Sequence, residues 1–256
     1  MNDGATIEKM RQMKLYGMAD AYRAALETGA DRSQAVNELL ASLIESEWQD
    51  KHDRRTQRLA RTARFRCESA LSDVDWLANR NLDRAVIMNL AECRFVTEKR
   101  TVIVTGPTGV GKSFIAQALG TQACDSGFAT SYWNCNKLFP ALKEKQRDGS
   151  YARFIALLAK TPLLILDDFG LARLDASDRL ALLEIAEDRY NKVATIVTSQ
   201  LPVSAWHEVI GDQTIADATC DRFVHRAIRI EMSGQSMRAR ETIDQRPVAA
   251  TQVSVL

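Results

Sequence analysis

The sequence predicts an α/β fold, a doubly wound parallel sheet of five strands preceded by a small all-helical domain. Three observations carry that reading. Val102-Ile103-Val104 is a short continuous apolar run, suited to a strand buried on both faces. It leads into Gly106-Pro107-Thr108-Gly109-Val110-Gly111-Lys112-Ser113, after which Phe114, Ile115, Ala118 and Leu119 continue at helical spacing. A second apolar run, Leu163 to Leu166, ends in the paired acids Asp167-Asp168. Further strand-like segments at Phe128–Trp133, Ala194–Thr198 and Ile228–Glu231 alternate with helical stretches, which is the rhythm of a parallel sheet with helices on both faces.

Upstream the pattern is helical. From Thr6 to Leu26 the residues Leu15, Met18, Tyr22 and Leu26 recur at helical spacing and predict one amphipathic helix ended by Gly29. Asp31 with Gln34 offers a capping box for the next helix. Its stripe of Val36, Leu40, Leu43, Ile44 and Trp48 reads as packed core. The same helix then turns basic. Lys51, Arg54, Arg55, Arg58 and Arg61 are three or four residues apart and share one face, with Arg64 and Arg66 following and Asp53 the one acid in the run. A solvated face is one reading. Binding to a phosphate backbone is the favoured one, since crowded arginines repel unless an anion relieves them, and such contacts give affinity without reading base sequence. Ser69 to Arg80 is loop-like, with Trp76 and Leu77 expected to dock it, and Leu82 to Cys93 is helical. These shifts place a helical DNA-binding or partner domain at 1–75, a nucleotide-binding domain at 76–240 and a disordered tail at 241–256.

The chemistry sits at strand ends. G-x-x-x-x-G-K-S between a strand and a helix is a phosphate-binding P-loop. Gly106 and Gly111 permit left-handed turns and keep side chains off the ligand. The backbone from Pro107 through Thr108, Gly109 and Val110 to Phe114 then forms a concave anion site at the positive end of a helix. Lys112 would reach the β- and γ-phosphates, and the Ser113 hydroxyl is a hard oxygen ligand for Mg²⁺. Ligands in such sheets bind beyond the carboxyl ends of the strands. There Asp167 would hold the metal, mostly through water, and Asp168 would orient or deprotonate an attacking water. Gln200, after the strand ending Thr198-Ser199, would either bond a γ-phosphate or lytic water or be a loop amide without a role. No N/T-K-x-D motif is present, because Asn136-Lys137 and Asn191-Lys192 lack the following acid, so ATP with Mg²⁺ is the expected ligand pair. The cations Lys137, Lys143, Lys145 and Arg147 on one helix either face DNA or are solvated.

With 256 residues and a formal net charge of +1, the whole chain shows no imbalance that points to nucleic acid or membrane, so local charge decides. The five cysteines are scattered without a C-x-x-C pair and the three histidines do not join them, which argues against a structural zinc. There is no leader and no apolar run near the roughly 18 residues a membrane span needs. A cytoplasmic protein is expected.

Several local sequences together resemble the IstB-like ATP-binding proteins, AAA+ helpers encoded beside the transposase in IstA/IstB insertion sequences and relatives of the DnaC-type helicase loaders. They are Lys14-Leu15-Tyr16-Gly17-Met18-Ala19, Glu47-Trp48, the P-loop, Asp188-Arg189-Tyr190, Thr198-Ser199 before Leu201-Pro202, and Asp221-Arg222. The resemblance spans about residues 5 to 240. It implies an AAA+ P-loop NTPase domain without the usual helical lid, an N-terminal DNA-binding domain, homo-oligomeric assembly on double-stranded DNA driven by ATP, and a cognate transposase as partner. It also implies that Arg222 is an arginine finger completing a neighbouring subunit's site, and that Arg238 matches a further phosphate-sensing arginine. Two residues depart from the family pattern: Asp168 stands where glutamate is usual and Gln200 where asparagine is usual, and either could slow hydrolysis. The leading expectation is a slow, assembly-dependent ATPase that assists transposition. The alternatives are a helicase loader, with a protein partner at the N-terminal helices, and a DNA-coating protein in which ATP is a structural clamp.

Overall fold

The computed structural model describes residues 3–29 and 35–237. The capping pair Asp31 and Gln34, Arg238 and the tail at 241–256 lie outside them. The chain divides into two compact units, Met1–Leu59 and Ala60–Leu256.

The first unit holds α1 (Asp3–Gln12), α2 (Tyr16–Thr28) and most of α3 (Val36–Ala63). The single helix expected over Thr6–Leu26 is therefore two. Lys14 takes a left-handed φ of 61°, and the Leu15 N–H bonds back to the Met10 carbonyl at 2.8 Å, closing α1. The first N–H groups of a helix have no partner within it, and at α2 one of them, on Met18, donates to Oε2 of the buried Glu47 at 3.1 Å. Gly17 lies where a Cβ would strike the Ser46 carbonyl, so α2 and α3 approach backbone to backbone. The stripe read as core is mostly not core. Leu43 is buried, but Val36, Leu40, Ile44 and Trp48 are exposed, and Trp48 stacks on His52 at 5.3 Å. Helical spacing marks a shared face without saying what covers it.

In the second unit the strands β1 (Thr101–Thr105), β2 (Thr130–Asn134), β3 (Leu163–Phe169), β4 (Ala194–Ser199) and β5 (Ile228–Glu231) form one sheet. Its order is β2-β3-β4-β1-β5, and all pairings are parallel. This is the predicted five-stranded sheet. It is buried by α4 (Arg84–Ala91), α5 (Arg94–Thr97), α6 (Lys112–Asp125), α7 (Cys135–Arg147), α8 (Tyr151–Lys160), α9 (Ala176–Arg189), α10 (Trp206–Ile210) and α11 (Gln213–Val224). Two apolar clusters line it, one around Leu138, Leu182 and Trp206, the other around Ile115, Leu119 and Ile165.

Phe65, Leu71, Val74 and Trp76 pack into the second cluster. These residues belong to the second unit, where this loop-like stretch buries its few apolar side chains on the sheet. Leu77, expected to dock beside Trp76, is 97% exposed. Arg189 is buried at the other end of the sheet, where it donates to the carbonyls of Leu158, Thr161 and Ala194 and to Thr195 Oγ1. Burial pulls its pKa down to about 9, which leaves it a cation at neutral pH.

Candidate nucleotide-binding site

The P-loop leaves β1, a central strand paired with both β4 and β5. Chain on either side holds the loop in place. The Gly106 N–H donates to the Ser199 carbonyl at 3.2 Å, and the Met232 and Met237 N–H groups donate to the carbonyls of Thr105 (2.8 Å) and Gly109 (2.9 Å). Gly106 and Gly111 have φ of 146° and 99°. A Cβ on Gly106 would strike the Met232 carbonyl. From below, Nη1 of the buried Arg80 donates to the Val110 carbonyl at 3.1 Å, and a Cβ on Gly111 would lie 2.7 Å from that nitrogen. Lys112 opens α6 and is 5% exposed, its Nζ donating to the Pro107 carbonyl at 2.8 Å.

The paired acids lie within a break in the β3–β4 register between Leu166 and Phe169. Neighbouring residues of a regular strand point to opposite faces. Here Asp168 adopts φ 58°, and its N–H donates to Thr198 Oγ1 at 3.0 Å. The irregularity re-aims its side chain, as bulges near functional sites do. Asp167 is fully buried, with Oδ1 accepting from Thr198 Oγ1 at 2.5 Å and Oδ2 from Tyr132 Oη at 2.6 Å. Burial and the adjacent carboxylate push the Tyr132 hydroxyl up, so it stays a donor. Asp168 accepts from Asn134 Nδ2 at 2.9 Å. Burial first, then the Asp167 charge, raises its pKa above the ordinary carboxylate value.

Thr108, Gly109, Gly111, Lys112, Ser113, Phe114, Asp168 and Gln200 line one cleft of about 610 Å³, the size range of small-molecule sites. Gln200 Oε1 accepts from Thr108 Oγ1 at 2.6 Å, which ties the end of β4 to the P-loop. Gln200 is thus brought to the site, whereas Asp167 stands behind the wall with both oxygens engaged. The sequence reading missed Asn134, Tyr132, Thr198, Arg80 and Arg66 as neighbours of this site. For Asn134 a signal existed: it is a polar residue at the carboxyl end of a strand, paired in register with Asp167.

Arg222 lies outside this cleft. It pairs with Glu187 at 2.8 Å and donates to the Ala218 carbonyl at 2.7 Å. In the basic run, Lys51 pairs with Glu47 at 3.2 Å and Arg54 with Asp50 at 3.0 Å, each one turn back, and Arg54 also covers the Tyr16 ring at 4.4 Å. Acids immediately upstream thus offset part of a run that looked uncompensated. On α7, Lys143 pairs with Asp175 and Asp178, and Lys145 with Asp148.

The family model for the IstB-like ATP binding protein matches residues 8–245. The chain belongs to this family. It is 43% identical over 233 residues to the insertion sequence ATP-binding protein y4pL of Sinorhizobium fredii, covering 91% of this chain and 95% of that one. Among solved structures, DnaI aligns with a TM-score of 0.55 at 23% identity, over 69% of this chain and 93% of that chain. The DnaC helicase loader aligns with a TM-score of 0.50 at 20% identity, over 58% and 86%. The fold is that of an AAA+ P-loop NTPase with an N-terminal helical domain. No helix among the described residues is long and apolar enough to cross a membrane. In this IstB-like chain the donor set fits a nucleoside triphosphate with its divalent cation: left-handed glycines in a loop at a helix N-terminus, a lysine and a serine opening that helix, and a carboxylate facing them across one cleft.

Proposed function

We propose that the chain is an ATPase that assembles as a homo-oligomer on double-stranded DNA in response to ATP and serves a cognate transposase. The observation that carries this reading is the convergence of the P-loop, Asp168 and Gln200 on one cleft in a member of the IstB-like family.

The loop N–H groups from Thr108 to Ser113 would hold the phosphates, with Lys112 on the β and γ groups. Bound Mg²⁺, held by Ser113 Oγ and a water shell, would neutralise charge on the phosphates. Asp168, oriented by Asn134, would accept the proton of the attacking water. Gln200 would orient that water or bond the γ-phosphate. Asp167 would act on the metal's water shell only if its bond to Tyr132 or Thr198 opens. Arg222 would leave Glu187 to reach the nucleotide of an adjacent subunit.

The test is sedimentation of the full chain with duplex DNA and ATP. Lys112→Ala is expected to abolish ATP-driven assembly, and oligomers forming unchanged in that variant would refute the reading. Capture of a transposase rather than a replicative helicase by the assembled protein supports the transposition role; the reverse assigns helicase loading.

A further inference from the structure

Arg66 belongs by sequence to the basic run and by position to the nucleotide cleft. The helix α3 ends at Ala63, and Arg64 turns left-handed at φ 60°. Phe65 then drops against α6. A Cβ on Gly120 would lie 2.8 Å from the Phe65 ring, and that ring meets Tyr132 edge-on at 6.5 Å. Next, the N–H groups of Arg66 and Cys67 both donate to Gln117 Oε1, at 2.7 and 3.3 Å. Gln117 is 1% exposed and sits on α6 one turn beyond Ser113, to whose carbonyl its Nε2 donates at 3.0 Å. The Arg66 backbone is therefore pinned to the helix whose N-terminus cradles the phosphates.

Its side chain lines the same cleft as Lys112, Ser113 and Asp168. It is exposed there, and the guanidinium makes no hydrogen bond or ion pair among the described residues. Its positive charge is felt at Asp168 and at Tyr132. The cleft of about 610 Å³ that Arg66 lines has room for a terminal phosphate. A guanidinium presents a planar fork of donors that suits phosphate oxygens.

We propose that Arg66 is a nucleotide-contacting residue, a cation supplied by the same chain to the terminal phosphate of a bound triphosphate. This rests on the ATP-binding reading of the cleft. Because Arg66 shares the Asp168 side of the site, it favours triphosphate over diphosphate. Lys112 gives less of this selectivity, since it also holds the β-phosphate that ATP and ADP share.

The test is equilibrium binding of fluorescently labelled ATP and ADP to the full chain with Mg²⁺ and without DNA. Arg66→Ala is expected to weaken ATP about tenfold to a hundredfold, the range for removal of a charge-assisted hydrogen bond, with ADP affinity within about twofold of wild type. Arg66→Lys should recover part of the ATP affinity, and Arg66→Gln should behave as alanine does. The melting temperature without nucleotide should not move. Equal losses for ATP and ADP, or unaltered ATP affinity, would overturn the assignment. So would a drop in nucleotide-free DNA affinity with ATP binding intact, which returns Arg66 to the basic run. Failure of the underlying reading looks different: the wild-type chain would bind neither nucleotide, and Lys112→Ala would change nothing.

Discussion

Asp168 shows how much one residue's surroundings are made by its neighbours. Its carboxylate is half-buried beside Asp167 and oriented by Asn134, and its pKa is raised by burial and by the Asp167 charge. The folded protein therefore binds a proton here at pH values where the unfolded chain has released it, so this group's contribution to stability grows as pH falls through the raised pKa and is lost above it. Asp168→Asn should raise the melting temperature of the nucleotide-free protein at neutral pH, where the buried charge is unfavourable, while ATP hydrolysis falls. Calorimetry and a phosphate-release assay check both, and an unchanged hydrolysis rate removes Asp168 from the proposed base role. The two acids were legible as a strand-ending pair because the apolar run before them is unmistakable. Their division of labour was not. It depends on a left-handed residue, a register break and the hydroxyls of Tyr132 and Thr198, all of which arrive from other strands or from local backbone geometry.

Among the elements, the helices of the first unit explain why Gly17 and Glu47 accompany each other in the family-like motifs. Glu47 caps α2 through the Met18 N–H, and Gly17 lets α2 lie against the Ser46 carbonyl of α3. A methyl group at Gly17 would force these helices apart, and overpacking of this kind costs about 1–3 kcal/mol. Gly17→Ala should therefore speed proteolysis within Asp3–Thr28 and leave nucleotide affinity unchanged, since the residues lining the cleft all belong to the second unit. Limited digestion with an ATP titration measures this, and equal resistance to protease would show that the close approach costs nothing. Element existence was largely readable from periodicity. The break at Lys14 was not, because it rests on a left-handed backbone turn that apolar spacing does not mark. Nor was the exposure of Val36, Leu40, Ile44 and Trp48, since periodicity is blind to what lies opposite a face.

For the molecule as a whole, the near-neutral net charge leaves DNA binding to local patches. Pairing of Lys51 and Arg54 with Glu47 and Asp50 lowers the charge available along α3. If the run still touches phosphates, replacing Arg54, Arg58 and Arg61 together by alanine should weaken DNA binding and flatten its salt dependence, by about 0.9 in log–log slope for each phosphate no longer neutralised. An unaltered slope assigns the run to solvent. Arg222→Ala should leave ATP binding by dilute protein intact and lower hydrolysis in the assembled state by about 10³-fold or more, the contribution of an arginine finger. Full activity in that variant would confine Arg222 to its pair with Glu187. The P-loop is buttressed by Met232 and Met237, which lie more than a hundred residues downstream in sequence. During synthesis the loop leaves the ribosome long before those partners exist, and pairings so distant in sequence form late. A nascent chain that has emerged only as far as β4 already carries the whole P-loop motif yet lacks the clamp that shapes it, so competence to bind nucleotide should appear abruptly once Met237 has emerged.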